Sequence, residues 1–290
     1  KAYNTLIRNG LIDISGSSDL SADFGDLTIL SRMGRGYGDD QEDEISTVAQ
    51  VTSGGIIDRA YSDTYTDITS NAKVQIASGA KITARFNTVT IRSDANQAGV
   101  DILAWADASG VGVHPEADNK ASLSLKAEVI TNGTAEKPVE IEGRYVHINS
   151  NIADLDVSVS SYAKGSSIIG WVTATNSVAT DLQALTTLHG ATIIGHDEAL
   201  LYASTAPKYR ETHIDSLARV QLNAVGHASA TGNLTIVTMN LLNPEANQTK
   251  TSSAHAKLTL DNGFVYYGTR LEANAYEFNT ARVNNEQDAS

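Results

Sequence analysis

The chain has 290 residues, of which 41% are hydrophobic, enough for a large core in one elongated domain or two compact ones. Lysine and arginine total 21 against 34 acidic residues, and the formal net charge of −13 disfavours nucleic acid and anionic lipid surfaces as partners. The absence of cysteine excludes disulfides and thiolate metal sites, and without a run of 18 apolar residues the sequence predicts no membrane insertion.

Short runs of alternating apolar and polar residues follow one another along the chain, at 74–76, 81–84, 89–92, 139–142, 146–149, 156–159 and 257–260. Each run predicts a strand with one buried face, because successive side chains of a strand point to opposite sides. The leucine spacing within 178–188 would also fit a short helix. Its counterpart at 122–125 alternates like a strand, so we predict strand for both segments.

The chain is also self-similar at a long period. A glycine followed by two strand-like runs recurs at Gly16, Gly79, Gly133, Gly190 and Gly263. Repeats of this length indicate a solenoid, a propeller or another array.

The favoured fold class is all-β, a parallel β-helix (β-solenoid) of about five imperfect units of roughly 57 residues. We expect each unit to divide into about three coils of roughly 20 residues. A propeller is the alternative, but its blades need several tight hairpins each, and the Asn-Gly pairs occur only once per unit. We expect residues 1–290 to form a single elongated segment of a larger protein.

Alignment of the units predicts which side chains face the interior. Val89 and Ile91 align with Val146 and Ile148, and less cleanly with Leu200 and Tyr202. The glycines at 79, 133, 190 and 263 are expected at corners that need positive φ or close backbone approach.

Two segments interrupt the pattern and are predicted as loops, near 32–46 and 243–254. The first carries a run of carboxylates, Asp39, Asp40, Glu42, Asp43 and Glu44, which could converge on a calcium ion. The alternative is a solvated acidic loop, since the spacing is not that of an EF-hand. Calcium is the one cofactor for which the sequence offers a site.

The sequence offers little support for catalysis. The seven histidines lack metal-ligand spacing, and no Gly-x-Ser-x-Gly motif is present. Acid pairs such as Asp63 with Asp67, or Asp154 with Asp156, could serve a polysaccharide lyase or glycoside hydrolase built on a β-helix. Any acidic chain of this length contains such pairs, so we predict no enzyme and keep the carbohydrate-active protein as the alternative.

The recurring pattern Gly-Ala-x-Ile-x-Gly/Ala followed by Val-x-Ile-x-Ser, with links rich in Ala, Ser and Gly, resembles the repeat regions of filamentous-haemagglutinin-like and other giant bacterial surface adhesins. The resemblance implies a secreted protein at the cell surface, acting as a rod-like stalk or self-assembling filament. It implies adjoining repeats or further copies of the chain as partners, together with host or surface glycans.

Overall fold

The computed structural model describes residues 1–34, 45–152, 154–167, 169–204, 219–231, 242–276 and 281–289. These residues contain strands and connecting turns but no helix. The strands are β1 (Ala2–Ile14), β2 (Asp19–Ser21), β3 (Leu27–Met33), β4 (Ile45–Asp58), β5 (Tyr61–Ala77), β6 (Lys81–Ala95), β7 (Gln97–Val113), β8 (Glu116–Asn132), β9 (Val139–Asn151), β10 (Asp154–Ser166), β11 (Ile169–His189), β12 (Ala191–Ser204), β13 (Arg219–Thr231), β14 (Leu242–Asp261), β15 (Val265–Gly268), β16 (Leu271–Tyr276) and β17 (Ala281–Ala289).

The strands form three parallel stacks. The first stack is β1, β5, β8, β11 and β14. The second is β2 with β3, then β6, β9, β12, and β15 with β16. The third is β4, β7, β10, β13 and β17. The chain visits the three stacks in turn, an all-β arrangement of parallel strands compatible with the β-helix class.

One passage through the three stacks takes a whole repeat of the sequence rather than a third of one. Along the first stack the facing residues are Ile14, Ile76, Thr131, Leu188 and Leu260, which belong to successive repeats. The expectation of three coils per unit is therefore wrong for the described residues. Their strands run on for as many as 21 residues because the alternation is not interrupted by turn residues.

The interior of the second stack follows the predicted alignment for two layers. Val146 faces Val89 and Ile148 faces Ile91, and all four side chains are fully buried. In the next layer the inward positions belong to Ala199 and Leu201, one residue before the predicted Leu200 and Tyr202. The register shifts between Gly195 and Glu198, and a shift of one residue exchanges the two faces of a strand.

The core side chains are smaller outside the second stack. Where the third stack meets the start of the first, the buried cluster consists entirely of alanine and valine: Ala60, Ala104, Ala106, Ala108, Val113, Ala117, Ala163, Val172 and Ala174. Small side chains let the two sheets approach closely. Buried polar side chains also bond within the interior, as Asn119 does by donating from Nδ2 to Oδ1 of Asn176 at 2.9 Å.

The recurring corner is built on glycine, as predicted for its conformation. Gly79, Gly190 and Gly263 have φ values of +85°, +52° and +86°. At Gly190 the constraint is double, because a Cβ would also lie 2.6 Å from the backbone nitrogen of Thr134 in the preceding layer. Only glycine meets both conditions without displacement of the neighbouring turn.

The segment 243–254 is a strand, so the prediction of a loop there is wrong. β14 pairs with β11 without interruption from Leu242 opposite Gly170 to Asp261 opposite His189. Its polar residues do not prevent pairing, because β14 is the last strand described in its stack, and Pro244 lies near its start, where proline is tolerated. The segment 178–188 lies in β11, confirming strand over helix.

Candidate functional site

The acidic run predicted to bind calcium, Asp39, Asp40, Glu42, Asp43 and Glu44, lies outside the described residues. The flanking strands take the ends of the predicted 32–46 loop, since β3 continues to Met33 and β4 begins at Ile45. Elsewhere in the described ranges, no group of three or more His, Asp or Glu residues could hold a metal ion.

A cluster of acids and tyrosines occupies the outer face of the first stack. Asp63 of β5 faces Asp118 of β8, and Tyr61 faces Glu116 in the same pair of strands. Neighbouring strands are about 4.8 Å apart, so the two aspartates stand side by side. Lys1 Nζ lies 3.1 Å from Oδ2 of Asp63.

The two aspartates have different surroundings. Burial raises the pKa of Asp118, and the adjacent Glu116 raises it further, against hydrogen bonds from Thr175 and Tyr61 that lower it. Asp63, in contrast, has the Lys1 ammonium as its partner and accepts a hydrogen bond from the Tyr3 hydroxyl at 3.3 Å. A carboxyl that keeps its proton to higher pH beside a cation-paired carboxylate is a combination that general acid and base chemistry uses.

Of the acid pairs expected from the sequence, Asp63 with Asp67 is not one that the fold brings into contact. Asp63 and Asp67 are separated along one strand by about 13 Å. The side chains of Asp154 and Asp156 are not among those described. The partner of Asp63 is Asp118 in the next layer, and only the period of the chain could have indicated it.

A column of basic and acidic side chains lies at the bend in the middle of β6, β9 and β12, in the second stack. Arg85 Nε lies 3.3 Å from Oε1 of Glu142, and Arg144 Nε lies 2.6 Å from Oδ2 of Asp197. The Arg144 guanidinium lowers the pKa of Asp197. The two arginines and Asp197 are exposed and Glu142 is partly so, and exposed ion pairs contribute little to stability. The column therefore forms a solvated ridge of mixed charge.

An aromatic pair lies on the outer face of the third stack. Trp105 of β7 faces Tyr162 of β10, and their ring centroids are 5.4 Å apart with 35° between the planes. Their sequence neighbours Ala104, Ala106 and Ala163 are buried, so the rings project from the opposite, outer side of the strands.

The first layer leaves the core partly open. Ile12 and Leu20 are only partly buried, whereas their partners in the next layer, Val74 and Ile82, are fully buried. The inward position is the same in both layers. The difference is that the strands of the first layer have a neighbour on one side only among the described residues.

The last layer is open in the same way. Leu260 and Tyr266 are partly buried, while their partners Leu188 and Ile193 are fully buried. All four belong to the one hydrophobic cluster that also contains the open residues of the first layer. Among the described residues, the core therefore runs through every layer and is partly exposed in the first and the last.

Comparison of the chain with protein families, curated proteins and solved structures gives no match. Among the described residues, no helical segment has the length and hydropathy needed to cross a bilayer. The structure thus defines a class, all-β with parallel strands in curled sheets, a class that does not by itself specify a function.

Proposed function

We propose that the chain is a five-unit parallel β-solenoid that serves as a structural segment of an extracellular filament or cell-surface adhesin. The three parallel stacks support this architecture, since each contributes one long side per layer. The adhesin-like repeat pattern of the sequence supports the extracellular setting.

The observation that carries the proposal is the core left open at both ends. Following the ladder through five layers places Leu258 in the column of Ile12, and Leu260 in the column of Ile14. A second chain stacked on the first in the same direction would therefore set apolar side chains against apolar side chains. It would also supply backbone partners to the edge strands, which otherwise invite uncontrolled pairing.

The height and width of one chain indicate that a rod would have to form by stacking of several chains or further repeats. Five layers at about 4.8 Å give a height of about 24 Å, whereas a strand of 17 residues is about 56 Å long. A single segment is consequently wider than it is tall. Elongation requires that layers from further repeats or further copies continue the stacks.

Sedimentation velocity with negative-stain imaging tests the proposal. We expect concentration-dependent assembly into stacks whose height increases in steps of about 24 Å. Leu20→Asp should abolish it, because a carboxylate at the open core cannot be buried against another layer. Phe24→Asp is the matched control, since Phe24 is 98% exposed in the bend between β2 and β3.

Two outcomes would contradict end-to-end stacking. One is a monomer up to about 1 mM, where even an interface of about −4 kcal/mol would be half occupied. The other is equal loss of assembly in the Leu20 and Phe24 variants, which would place the contact on the side of the solenoid.

The second candidate function is a carbohydrate-active protein, favoured by the Asp63 and Asp118 pair. A proton-retaining acid beside a second carboxylate is the arrangement that glycoside hydrolysis requires. Incubation with neutral and acidic polysaccharides, followed by assay of new reducing ends and unsaturated products, tests it. Turnover that Asp118→Asn abolishes would overturn a purely structural role.

A further inference from the structure

The pair formed by Trp105 and Tyr162 is an exposed association of aromatic rings in neighbouring layers. Trp105 remains 37% exposed although the tyrosine ring lies beside it. The two rings form a platform that is about one layer spacing wide. The outward position before Trp105 on the same strand is Leu103, which faces the half-exposed Val48 of β4, so the platform continues into a small aliphatic patch on that side.

Polar groups border this platform. Gln50 of β4 faces Trp105 from the preceding layer. Further along the two strands, at the next outward position, Asp107 faces Lys164. An amide, a carboxylate and an ammonium therefore border the rings on two sides, each able to donate or accept hydrogen bonds.

We propose that this platform binds a neutral oligosaccharide. A sugar ring has an apolar face of C–H groups that packs on an aromatic ring, and a rim of hydroxyls that needs both donors and acceptors. The two rings offer the first, and the amide, carboxylate and ammonium offer the second.

Charge and area argue against other partners. The net charge of −13 repels acidic glycans, nucleic acid and anionic lipid. Two aromatic side chains bury at most about 500 Å² together, less than the roughly 800 Å² per partner of a stable protein interface. A few sugar residues match the size of the platform. The inference is independent of end-to-end stacking, because the site lies on the side of the solenoid.

Tryptophan fluorescence gives a direct test, because the chain contains only two tryptophans, Trp105 and Trp171. In the Trp171→Phe variant all tryptophan emission comes from Trp105. We expect saturable quenching or a spectral shift with at least one probe from a panel of neutral hexasaccharides of glucose, galactose, mannose and N-acetylglucosamine.

Calorimetric titration of the probe that binds then locates the site. Trp105→Ala and Tyr162→Ala should each weaken binding at least about tenfold, the effect of removing a central contact. Trp171→Ala is the matched control, because Trp171 is 54% exposed and lies on the first stack, and it should change the affinity less than about twofold. Thermal melts confirm that the variants are folded.

Several results would overturn the proposal. These are no saturable response at about 10 mM of any probe, an affinity that Trp105→Ala leaves unchanged, equal loss in the Trp171 control, or tighter binding of an oligogalacturonate than of every neutral probe. None of these readouts depends on assembly. A failure of the glycan site and a failure of the stacking proposal are therefore distinguishable.

Discussion

Replacement of Gly190 by alanine tests the corner that joins the first stack to the second. Gly190 has a φ of +52°. Its nitrogen donates to the carbonyl of Asp261 at 3.1 Å, and its carbonyl accepts from Val139 at 3.0 Å, so the corner is bonded to the layers on both sides.

The expected cost has two parts. An alanine in the left-handed region is disfavoured by about 1–2 kcal/mol. The added Cβ would also lie 2.6 Å from the nitrogen of Thr134, a backbone atom that cannot rotate away, and overpacking of this kind costs about 1–3 kcal/mol. We expect the free energy of unfolding to fall by about 2–5 kcal/mol.

Urea denaturation followed by circular dichroism measures this change. Gly112→Ala is the matched control, because Gly112 lies in a strand, has no positive φ and would place its Cβ in open space. We expect that variant to differ from the parent by less than about 0.5 kcal/mol. Equal effects of the two variants, or a Gly190→Ala protein as stable as the parent, would refute the reasoning about the corner.

Three further predictions concern the outer face of the first stack, the hydrophobic core of the second stack and the buried hydrogen bonds of Asn119. Asp118→Asn should raise the free energy of unfolding at pH 7 but not at pH 3, measured by urea melts. The native state favours the protonated carboxyl, so its contribution is present below the usual pKa of 3.8 and is lost as the pH rises through the raised value. Ile141→Ala should cost about 2–5 kcal/mol and Leu20→Ala distinctly less in thermal melts of the monomer, because the two occupy one column but only Ile141 is fully buried. Asn119→Ala should cost about 2–4 kcal/mol in urea melts, because it leaves buried hydrogen-bond partners unsatisfied. Asn71→Ala removes only an exposed hydrogen bond, donated by Asn71 Nδ2 to Asn9 Oδ1, and should cost under about 1 kcal/mol.

The sequence predicted the inward columns where the bends of neighbouring layers differ by an even number of residues, as the three residues between Ala84 and Thr88 and the single residue between Gly143 and Tyr145 do. Val89 over Val146 follows from alternation alone, since both side chains fill the same interior column. The error at Leu200 arose because the bend before it differs by one residue between layers, which exchanges the two faces: a single residue separates Gly143 from Tyr145, whereas two separate Gly195 from Glu198. Bend length is decided by local turn chemistry, which alternation does not report.

The prediction of three coils per unit is wrong, although the sequence contained the signal for one coil per unit. The corner glycines occur once per unit, and one corner of this kind per unit implies one circuit per unit. The same period brings together residues that no local motif connects, such as Trp105 with Tyr162 and Asp63 with Asp118. The prediction of a loop at 243–254 is wrong for another reason. Pairing with β11 overrides the weak strand preference of Asn, Gln and Ser.

The breadth of each layer has a mechanical consequence. A reach of about 100 Å needs about 21 layers, or roughly 1,200 residues, so this geometry is an inefficient way to gain length. A wide cross-section instead resists bending, because material far from the axis must stretch or compress when a rod curves. Stacked layers of this width are therefore suited to carrying a sideways load over a short distance.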